Sequence, residues 1–328
     1  MLKNILITGA YGFIGTNLAY RLSLNDDNYI IALDITERNK TLYNSYYSWE
    51  NFEKIDWDSI DTIIHLAGKV HDTKNTSNRQ SYFDINFGLT KLIFDKFIRS
   101  KAIKFIFFSS VKAVADSVHG DILTEDVSPN PQTAYGKSKL EAEKYILGEL
   151  QKWNEEGTLK GSDKEWKKVY ILRPCMIHGE GNKGNLNLLY NFVKKGLPYP
   201  LGNFENKRSF ISIDNLFFLL KNLIYMEYVT PGIYNIADDQ PISTNDLIKL
   251  IAKSLDKEGK IIYLNKSFIY SIARIADSLS IPVNSETLKK LTESYVVSNQ
   301  KIKNAIGVKQ LPINVEAGLM KTLKSFRI

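Results

Sequence analysis

Cysteine and histidine are scarce in this sequence. Its 328 residues include one cysteine, Cys175, and four histidines. One thiol cannot form an internal disulfide, and the histidines form no cluster with the spacing of a zinc site. We therefore predict a protein without a metal centre in a reducing compartment, the cytoplasm.

Long hydrophobic runs are also missing. The most apolar later stretch, residues 210–228, is interrupted by Asp214, Asn215 and Lys221. The N-terminus leads directly into a polar-flanked strand pattern rather than a cleavable apolar segment. We expect neither a signal peptide nor a membrane span.

The excess of positive charge is modest. Lys and Arg number 43 against 36 Asp and Glu, a formal net charge of +7. The basic residues are interspersed with acids along the chain, so we expect no nucleic-acid partner. A mildly basic protein suits an anionic small molecule such as a sugar nucleotide.

Apolar β-branched runs alternate with helical patterns in the first half of the chain. Strands are predicted at residues 4–8, 29–33, 62–66, 103–109 and 169–172, and helices at 13–24, 82–99 and 135–150. This alternation predicts an α/β fold with a Rossmann-type, doubly wound parallel sheet. Later helices are predicted at 214–228, 244–255 and 266–279, with Asp214 as an N-cap.

The chain is longer than a usual domain of roughly 100 to 200 residues. We predict a nucleotide-binding domain over residues 1–174, to which residues 209–237 return. Residues 175–208 and 238–328 are predicted to form a smaller C-terminal substrate-binding region. We interpret the polar stretch 151–168 as a surface excursion without chemistry, and the loop 69–79 as part of the substrate pocket.

Three glycines, Gly9, Gly12 and Gly15, lie where the first predicted strand becomes a helix. In that context they permit a tight turn, close approach to a pyrophosphate and close helix packing. The next strand ends at Asp34, where a carboxylate can accept both hydroxyls of an adenosine ribose and repel a 2′-phosphate. NAD is therefore predicted over NADP, although Arg38 and Lys40 nearby leave NADP open.

A second pattern predicts chemistry at the same end of the sheet. Tyr135 and Lys139 are four residues apart on a predicted helix, so their side chains share a face. The helix follows the strand "KFIFFSS", which brings Ser109 and Ser110 to the sheet's carboxyl edge. A nearby cation can make a tyrosine usable as an acid or base near neutral pH, while Ser110 would orient the substrate oxygen.

The ordered motifs "TGAYGFIG", "IIHLAG", "FFSS", "AYGKSK" and "LRPCMIHGEGNKGN" resemble the extended short-chain dehydrogenase/reductases that act on nucleotide sugars. The resemblance implies an enzyme whose catalytic residues are Ser110, Tyr135 and Lys139. It implies a homodimer paired through the Asn86 and Tyr135 helices, and His65 is interpreted as a satisfied strand residue. The implied cofactor residues are Gly9, Tyr11, Gly12, Phe13, Ile14, Gly15, Asp34, Leu66, Ala67, Gly68, Asn86, Ser109, Tyr135, Lys139 and Pro174. The implied substrate residues are Lys69, Lys112, Asn185 and Arg208.

Departures from the family pattern narrow the expected reaction. The dehydratases carry two acids after the catalytic hydroxyl, but this chain has Val111 and Lys112, so dehydration is not expected. "SSVK" and "LPYPLGNFENKRSFI" are most similar to reductases of UDP-4-keto-6-deoxy-N-acetylhexosamines in surface polysaccharide synthesis. We favour such a 4-ketoreductase, with a UDP-glucose or UDP-N-acetylglucosamine 4-epimerase holding NAD as the alternative. A non-catalytic NAD-binding sensor is a third reading.

Overall fold

The computed structural model describes residues 2–38, 40–70, 78–118, 120–160, 166–182, 184–278 and 285–327. Its strands are β1 Lys3–Thr8, β2 Asn28–Asp34, β3 Ser45–Ser48, β4 Thr62–His65, β5 Lys104–Phe108, β6 Lys168–Pro174, β7 Met176–His178, β8 Lys207–Arg208, β9 Phe210–Ser212, β10 Gly232–Ile236 and β11 Ile242–Ser243. Its helices are α1 Phe13–Leu22, α2 Arg79–Tyr82, α3 Leu89–Arg99, α4 Ala134–Lys160, α5 Asn185–Lys194, α6 Ile213–Tyr225, α7 Thr244–Ser254, α8 Lys266–Ser278, α9 Ser285–Thr292, α10 Gln300–Ile306 and α11 Val315–Ser325.

Seven strands form one parallel sheet in the order β10-β6-β5-β4-β1-β2-β3. The order reverses direction after β1, which creates the crevice where ligands bind in open α/β sheets. The predicted α/β class and doubly wound sheet are confirmed. The short strand β3 at the sheet edge was not predicted from the sequence.

Successive side chains of β1 point to opposite faces of the sheet and enter different cores. Ile5 and Ile7 pack with Leu18 of α1 and Leu219 of α6. Leu6 packs in the other core, with helices α3 and α4. The sheet is therefore buried on both faces, and only the loops at its strand ends are available to a ligand.

A third core lies in the C-terminal region. It joins α5, α7 and α11 through apolar side chains that include Leu186, Ile248 and Leu319. Two short two-stranded sheets, β7 with β9 and β8 with β11, accompany this core. Strand β10 returns to the main sheet beside β6.

Several local predictions were wrong. Helix α4 continues to Lys160, so part of the predicted excursion at 151–168 is helix; residues 161–165 lie outside the described part. Ser212, not Asp214, caps α6 by accepting a hydrogen bond from the Asn215 amide. Asp214 instead pairs with Arg21 and Lys321.

The predicted helix over 82–99 also contains an irregularity. Residues Phe83–Gly88 form a π-helical turn between α2 and α3. Asn86 lies in that turn and is fully buried. Such π turns are frequent at functional sites, because the extra residue redirects one side chain out of the regular helical repeat.

Candidate active site

The glycine turn after β1 is shaped by backbone contacts. Gly9 has a φ of +66°, and a Cβ atom there would lie 2.8 Å from the Ala67 nitrogen. A Cβ on Gly15 would lie 2.4 Å from the Ala10 carbonyl oxygen. Gly12 is the N-cap of α1 and makes no side-chain cap hydrogen bond, which leaves the N–H groups of the first turn for an anion.

Asp34 lies at the end of β2 and braces this turn. Its Oδ2 accepts a hydrogen bond from the Tyr11 amide at 2.8 Å, and its Oδ1 accepts one from the Ile35 amide at 2.7 Å. The carboxylate therefore occupies the second strand end, beside the glycine turn. This position suits a cofactor ribose and places negative charge where a 2′-phosphate would be repelled.

The end of β4 is fixed by a chain of hydrogen bonds through His65. Thr8 Oγ1 accepts from the Ala67 amide at 3.2 Å and lies 2.7 Å from His65 Nδ1. On the other side, His65 Nε2 lies 3.0 Å from Thr90 Oγ1, whose hydroxyl donates to the Asn86 carbonyl. His65 is a satisfied strand residue, as predicted, and burial lowers its pKa to about 3.

Asn86 holds the segment after β4 from the other side. Its Oδ1 accepts from the Lys69 amide at 2.7 Å, and its Nδ2 donates to the Lys69 carbonyl and to Ser138 Oγ. A Cβ on Gly68 would lie 2.9 Å from Asn86 Oδ1 and 3.1 Å from Lys139 Nζ. Gly68 is thus packed closely between Asn86 and the candidate catalytic lysine.

Ser110, Tyr135 and Lys139 meet at the carboxyl ends of the strands. Ser110 follows β5 and starts a short 3-10 turn, Val111–Ala113, where its Oγ accepts from the Lys112 amide. Tyr135 and Lys139 lie on successive turns at the start of α4. The Ser110 hydroxyl lies near the Tyr135 side chain, whose ring meets that of Tyr82 edge-on.

Burial controls the protonation of both helix residues. It raises the pKa of Tyr135 above the ordinary value, and the nearby Ser110 side chain partly opposes that rise. Burial lowers the pKa of Lys139 to about 8, while Glu143 acts in the opposite direction. The lysine ammonium donates to the Phe108 carbonyl at 2.8 Å. Because its pKa is raised, the Tyr135 hydroxyl keeps its proton at neutral pH.

Two buried charged residues that the sequence reasoning missed lie beneath this site. Glu143, one turn after Lys139, accepts a hydrogen bond from Ser109 Oγ. It also forms a two-pronged ion pair with Arg173. Arg173 is in β6, next to Pro174, which ends that strand. The spacing of Lys139 and Glu143 on one helix face was visible in the sequence, but the bonds of Glu143 to Ser109 and Arg173 were not.

The candidate substrate residues are distributed less tightly. Lys69 contacts Ser81 Oγ and the Tyr82 ring, near Tyr135. Lys112 donates to the Asp116 carbonyl and lies 4.2 Å from the centroid of the Tyr295 ring. Asn185 is exposed at the start of α5. Of the loop 69–79, residues 71–77 lie outside the described part.

Tyr295 links the remaining candidate, Arg208, to the turn that begins at Ser110. It pairs with Arg208 as a β-bridge, and its hydroxyl donates to the Ala115 carbonyl at 2.7 Å and approaches the Val111 carbonyl. Burial lowers the pKa of Arg208, whose ordinary value is so high that it stays charged. No motif or spacing in the sequence singled out Tyr295.

A family comparison matches this arrangement. Residues 5–237 match the model of the NAD dependent epimerase/dehydratase family, a span that includes the glycine turn, Asp34 and the Ser110, Tyr135 and Lys139 set. The chain belongs to this family. The family resemblance predicted from the motifs is confirmed, and the protein is an enzyme.

Two curated relatives illustrate the similarity. A UDP-glucose 4-epimerase from Vibrio cholerae is 32% identical over 267 residues, which span 78% of this chain and 77% of that protein. An N-acetyl-alpha-D-glucosaminyl-diphospho-ditrans,octacis-undecaprenol 4-epimerase from Escherichia coli O157:H7 is 24% identical and spans 99% of this chain and 95% of that protein. Both are named 4-epimerases.

Solved structures share the fold. A UDP-N-acetylglucosamine 4-epimerase from Methanobrevibacter ruminantium M1 in complex with UDP-N-acetylmuramic acid has a TM-score of 0.74 at 19% identity, with 99% of this chain and 98% of that chain covered. A UDP-glucuronic acid 4-epimerase from Bacillus cereus in complex with NAD has a TM-score of 0.73 at 18% identity, with coverage of 99% and 98%. Within the described ranges, no helix of this epimerase/dehydratase family member is long and apolar enough to cross a membrane.

Proposed function

We propose that the protein is an NAD-dependent 4-epimerase of a UDP-linked hexose. The observation that carries the proposal is the meeting of Ser110, Tyr135 and Lys139 at the strand ends that also carry the glycine turn and Asp34. A proton-exchanging tyrosine beside a dinucleotide site is the arrangement needed to oxidise and reduce a carbinol carbon.

Tyr135, Ser110 and Lys139 have different roles at the C4 oxygen of the hexose. Tyr135 exchanges the proton of that oxygen, Ser110 hydrogen-bonds the oxygen and orients the carbon, and Lys139 supplies positive charge next to the tyrosine. NAD, when bound, supplies the hydride acceptor and donor. Because burial keeps the proton on Tyr135, the positive charge of an oxidised nicotinamide nearby would favour the phenolate required for the first proton transfer.

Three observations support epimerisation over other reactions of the family. The relatives described above are named 4-epimerases. Asp34 opposes the 2′-phosphate of NADP, and an epimerase regenerates its own NAD instead of drawing on a reducing pool. Val111 and Lys112 stand where a dehydratase would need acids, and neither can serve as a carboxylic acid.

A second candidate is the 4-ketoreductase of a UDP-6-deoxy-N-acetylhexosamine. It is supported by the motifs "SSVK" and "LPYPLGNFENKRSFI", which resemble those of reductases in surface polysaccharide synthesis. The same Ser110, Tyr135 and Lys139 set would protonate the C4 oxygen as hydride arrives. The two candidates can be separated by experiment, because the epimerase regenerates its NAD whereas the reductase consumes a reduced cofactor.

The test begins with the nucleotide that co-purifies with the protein, released by acid and identified by mass spectrometry. The protein is then incubated with UDP-glucose, UDP-N-acetylglucosamine and the UDP-4-keto-6-deoxy-N-acetylhexosamine, each in turn. Bound NAD with inversion at C4 and no net cofactor use supports the epimerase. Stoichiometric consumption of added NADH or NADPH on the keto sugar replaces it with the reductase.

Tyr135→Phe separates an enzyme from a sensor that only binds NAD. Loss of the acid–base group is expected to reduce turnover by about 10²- to 10⁴-fold, while NAD content stays that of the wild type. Tyr190→Phe is a matched control, because Tyr190 is also followed by a lysine four residues later but packs in the C-terminal core. Equal activity of Tyr135→Phe and wild type would remove the proposed role. The expected homodimer remains a prediction that light scattering can test.

A further inference from the structure

A buried ion pair lies directly behind the candidate catalytic residues. Glu143 and Arg173 are only 1% and 3% exposed. Arg173 Nη2 lies 2.6 Å from Glu143 Oε2, and Arg173 Nε lies 3.0 Å from Glu143 Oε1. A buried pair of this kind contributes little to stability compared with apolar residues of similar size, so its presence calls for a different role.

The pair reaches the site through two groups. Ser109 Oγ donates to Glu143 Oε1, which fixes the residue immediately before Ser110. Lys139 lies one turn before Glu143 on α4, so their side chains share a helix face. The negative charge of Glu143 therefore acts on the serine turn through a hydrogen bond and on Lys139 through space.

From this geometry we propose that Glu143, anchored by Arg173, is a positioning residue that sets the orientation of the Ser109–Ser110 turn and the charge state of Lys139 during turnover. The proposal rests on the proposed function for its catalytic readout. Arg173 holds the carboxylate on two nitrogens, so the oxygen that receives Ser109 is fixed in direction.

The charges around Lys139 define the expected pH effect. Lys139 faces Glu143 on its own helix and His65 on β4, and Arg173 faces both Glu143 and Glu125. Burial lowers the pKa of Lys139 to about 8, and Glu143 opposes that change. Neutralising Glu143 lowers the pKa of Lys139 further, so the ammonium is lost at a lower pH.

Glu143→Gln tests this directly, since glutamine keeps the shape and removes the charge. A nearby opposite charge shifts a pKa by about 1 to 3 units. The fall of kcat on the alkaline side of its pH profile is therefore expected at a pH lower by about one unit or more. kcat is expected to fall while KM for the sugar nucleotide changes little. Glu143→Asp retains the charge and is expected to keep the alkaline side of the wild-type pH profile, with reduced kcat.

A substrate-independent measurement accompanies the kinetics. The titration of the buried Lys139 ammonium, followed by 13C NMR of protein labelled at lysine Cε, is expected to shift to lower pH in Glu143→Gln. Glu227→Gln is the matched control: it also removes a carboxylate that pairs with a buried lysine, Lys104, but at the far end of β5. It is expected to leave both the pH profile of kcat and the Lys139 titration unchanged.

The outcomes separate the two proposals. If Glu143→Gln loses activity equally at every pH and the titration of Lys139 does not move, the positioning role is overturned. If the wild type epimerises or reduces no UDP-hexose but the titration of Lys139 still shifts in Glu143→Gln, the proposed function fails while the influence of Glu143 on Lys139 stands. If Glu143→Gln does not fold, two other variants decide. The role is supported if the alkaline side of the pH profile of kcat stays unchanged in Glu143→Asp and shifts in Arg173→Lys. It is overturned if that side shifts in Glu143→Asp and stays unchanged in Arg173→Lys.

Discussion

His65 should make this protein unstable in mild acid. The ring is fully buried in β4, and burial lowers its pKa to about 3 from an ordinary 6.5. Because the Thr90 hydroxyl donates its hydrogen to the Asn86 carbonyl, it accepts a hydrogen bond from His65 Nε2–H. Thr8 accepts from the Ala67 amide and donates to Nδ1. The network thus fits a neutral ring that carries its hydrogen on Nε2.

The folded and unfolded pKa values of His65 determine how the unfolding free energy changes with pH. The folded state disfavours the protonated ring, so the stability due to the neutral ring is complete above about pH 6.5 and is lost as the pH falls toward 3. Between those values the loss is about 1.4 kcal/mol per pH unit. At about pH 5 it is about 2 kcal/mol, and this figure holds for any folded-state pKa well below 5.

Urea unfolding of the wild type and of His65→Gln, each at about pH 7.5 and about pH 5, measures this effect. The wild type is expected to lose about 2 kcal/mol more unfolding free energy than the variant over that interval. Other titrating groups are common to both proteins and cancel in the difference. Equal losses in the two proteins would show that the ring is not held neutral and would refute the reasoning.

Two further changes probe the site. Gly15→Ala places a Cβ 2.4 Å from the Ala10 carbonyl oxygen; we expect it to destabilise the turn by about 1 to 3 kcal/mol and to reduce the NAD that co-purifies. In the control Gly148→Ala, a Cβ meets nothing within 4 Å, so NAD content should stay that of the wild type. Tyr295→Phe removes the hydroxyl bound to Ala115 but keeps the ring beneath Lys112, and should cost about 1 kcal/mol of unfolding free energy and lower kcat, measured by urea unfolding and initial rates. Unchanged kcat would show that Tyr295 does not support the serine turn.

Much of the fold is visible in the sequence because its determinants are local. Alternating strand and helix patterns specify a parallel sheet, since parallel neighbours need a crossover between them. The edge strand β3 and the extension of α4 to Lys160 were missed. Edge strands are short and half-buried, and a charged, glycine-containing segment such as residues 151–160 stays helical only when the helix before it supports it.

The candidate site also has features that the sequence predicts and features that it does not. Gly9, Asp34, Ser110, Tyr135 and Lys139 could be selected from the sequence, because each follows a strand end or shares a helix face with its partner. The close packing of Gly68 against Lys139 could not be predicted, since it depends on how two segments far apart in the chain approach each other in space.

The sequence by itself determined the doubly wound sheet, the glycine turn and the types of residue at the strand ends. Only the tertiary structure decided how those residues are charged and braced. Glu143 meets Arg173, His65 meets Thr8 and Thr90, and Tyr295 meets the serine turn across long separations in the chain. Hydrogen bonds and charge effects act over a few ångströms, so they depend on distances in space that spacing along the chain does not reveal.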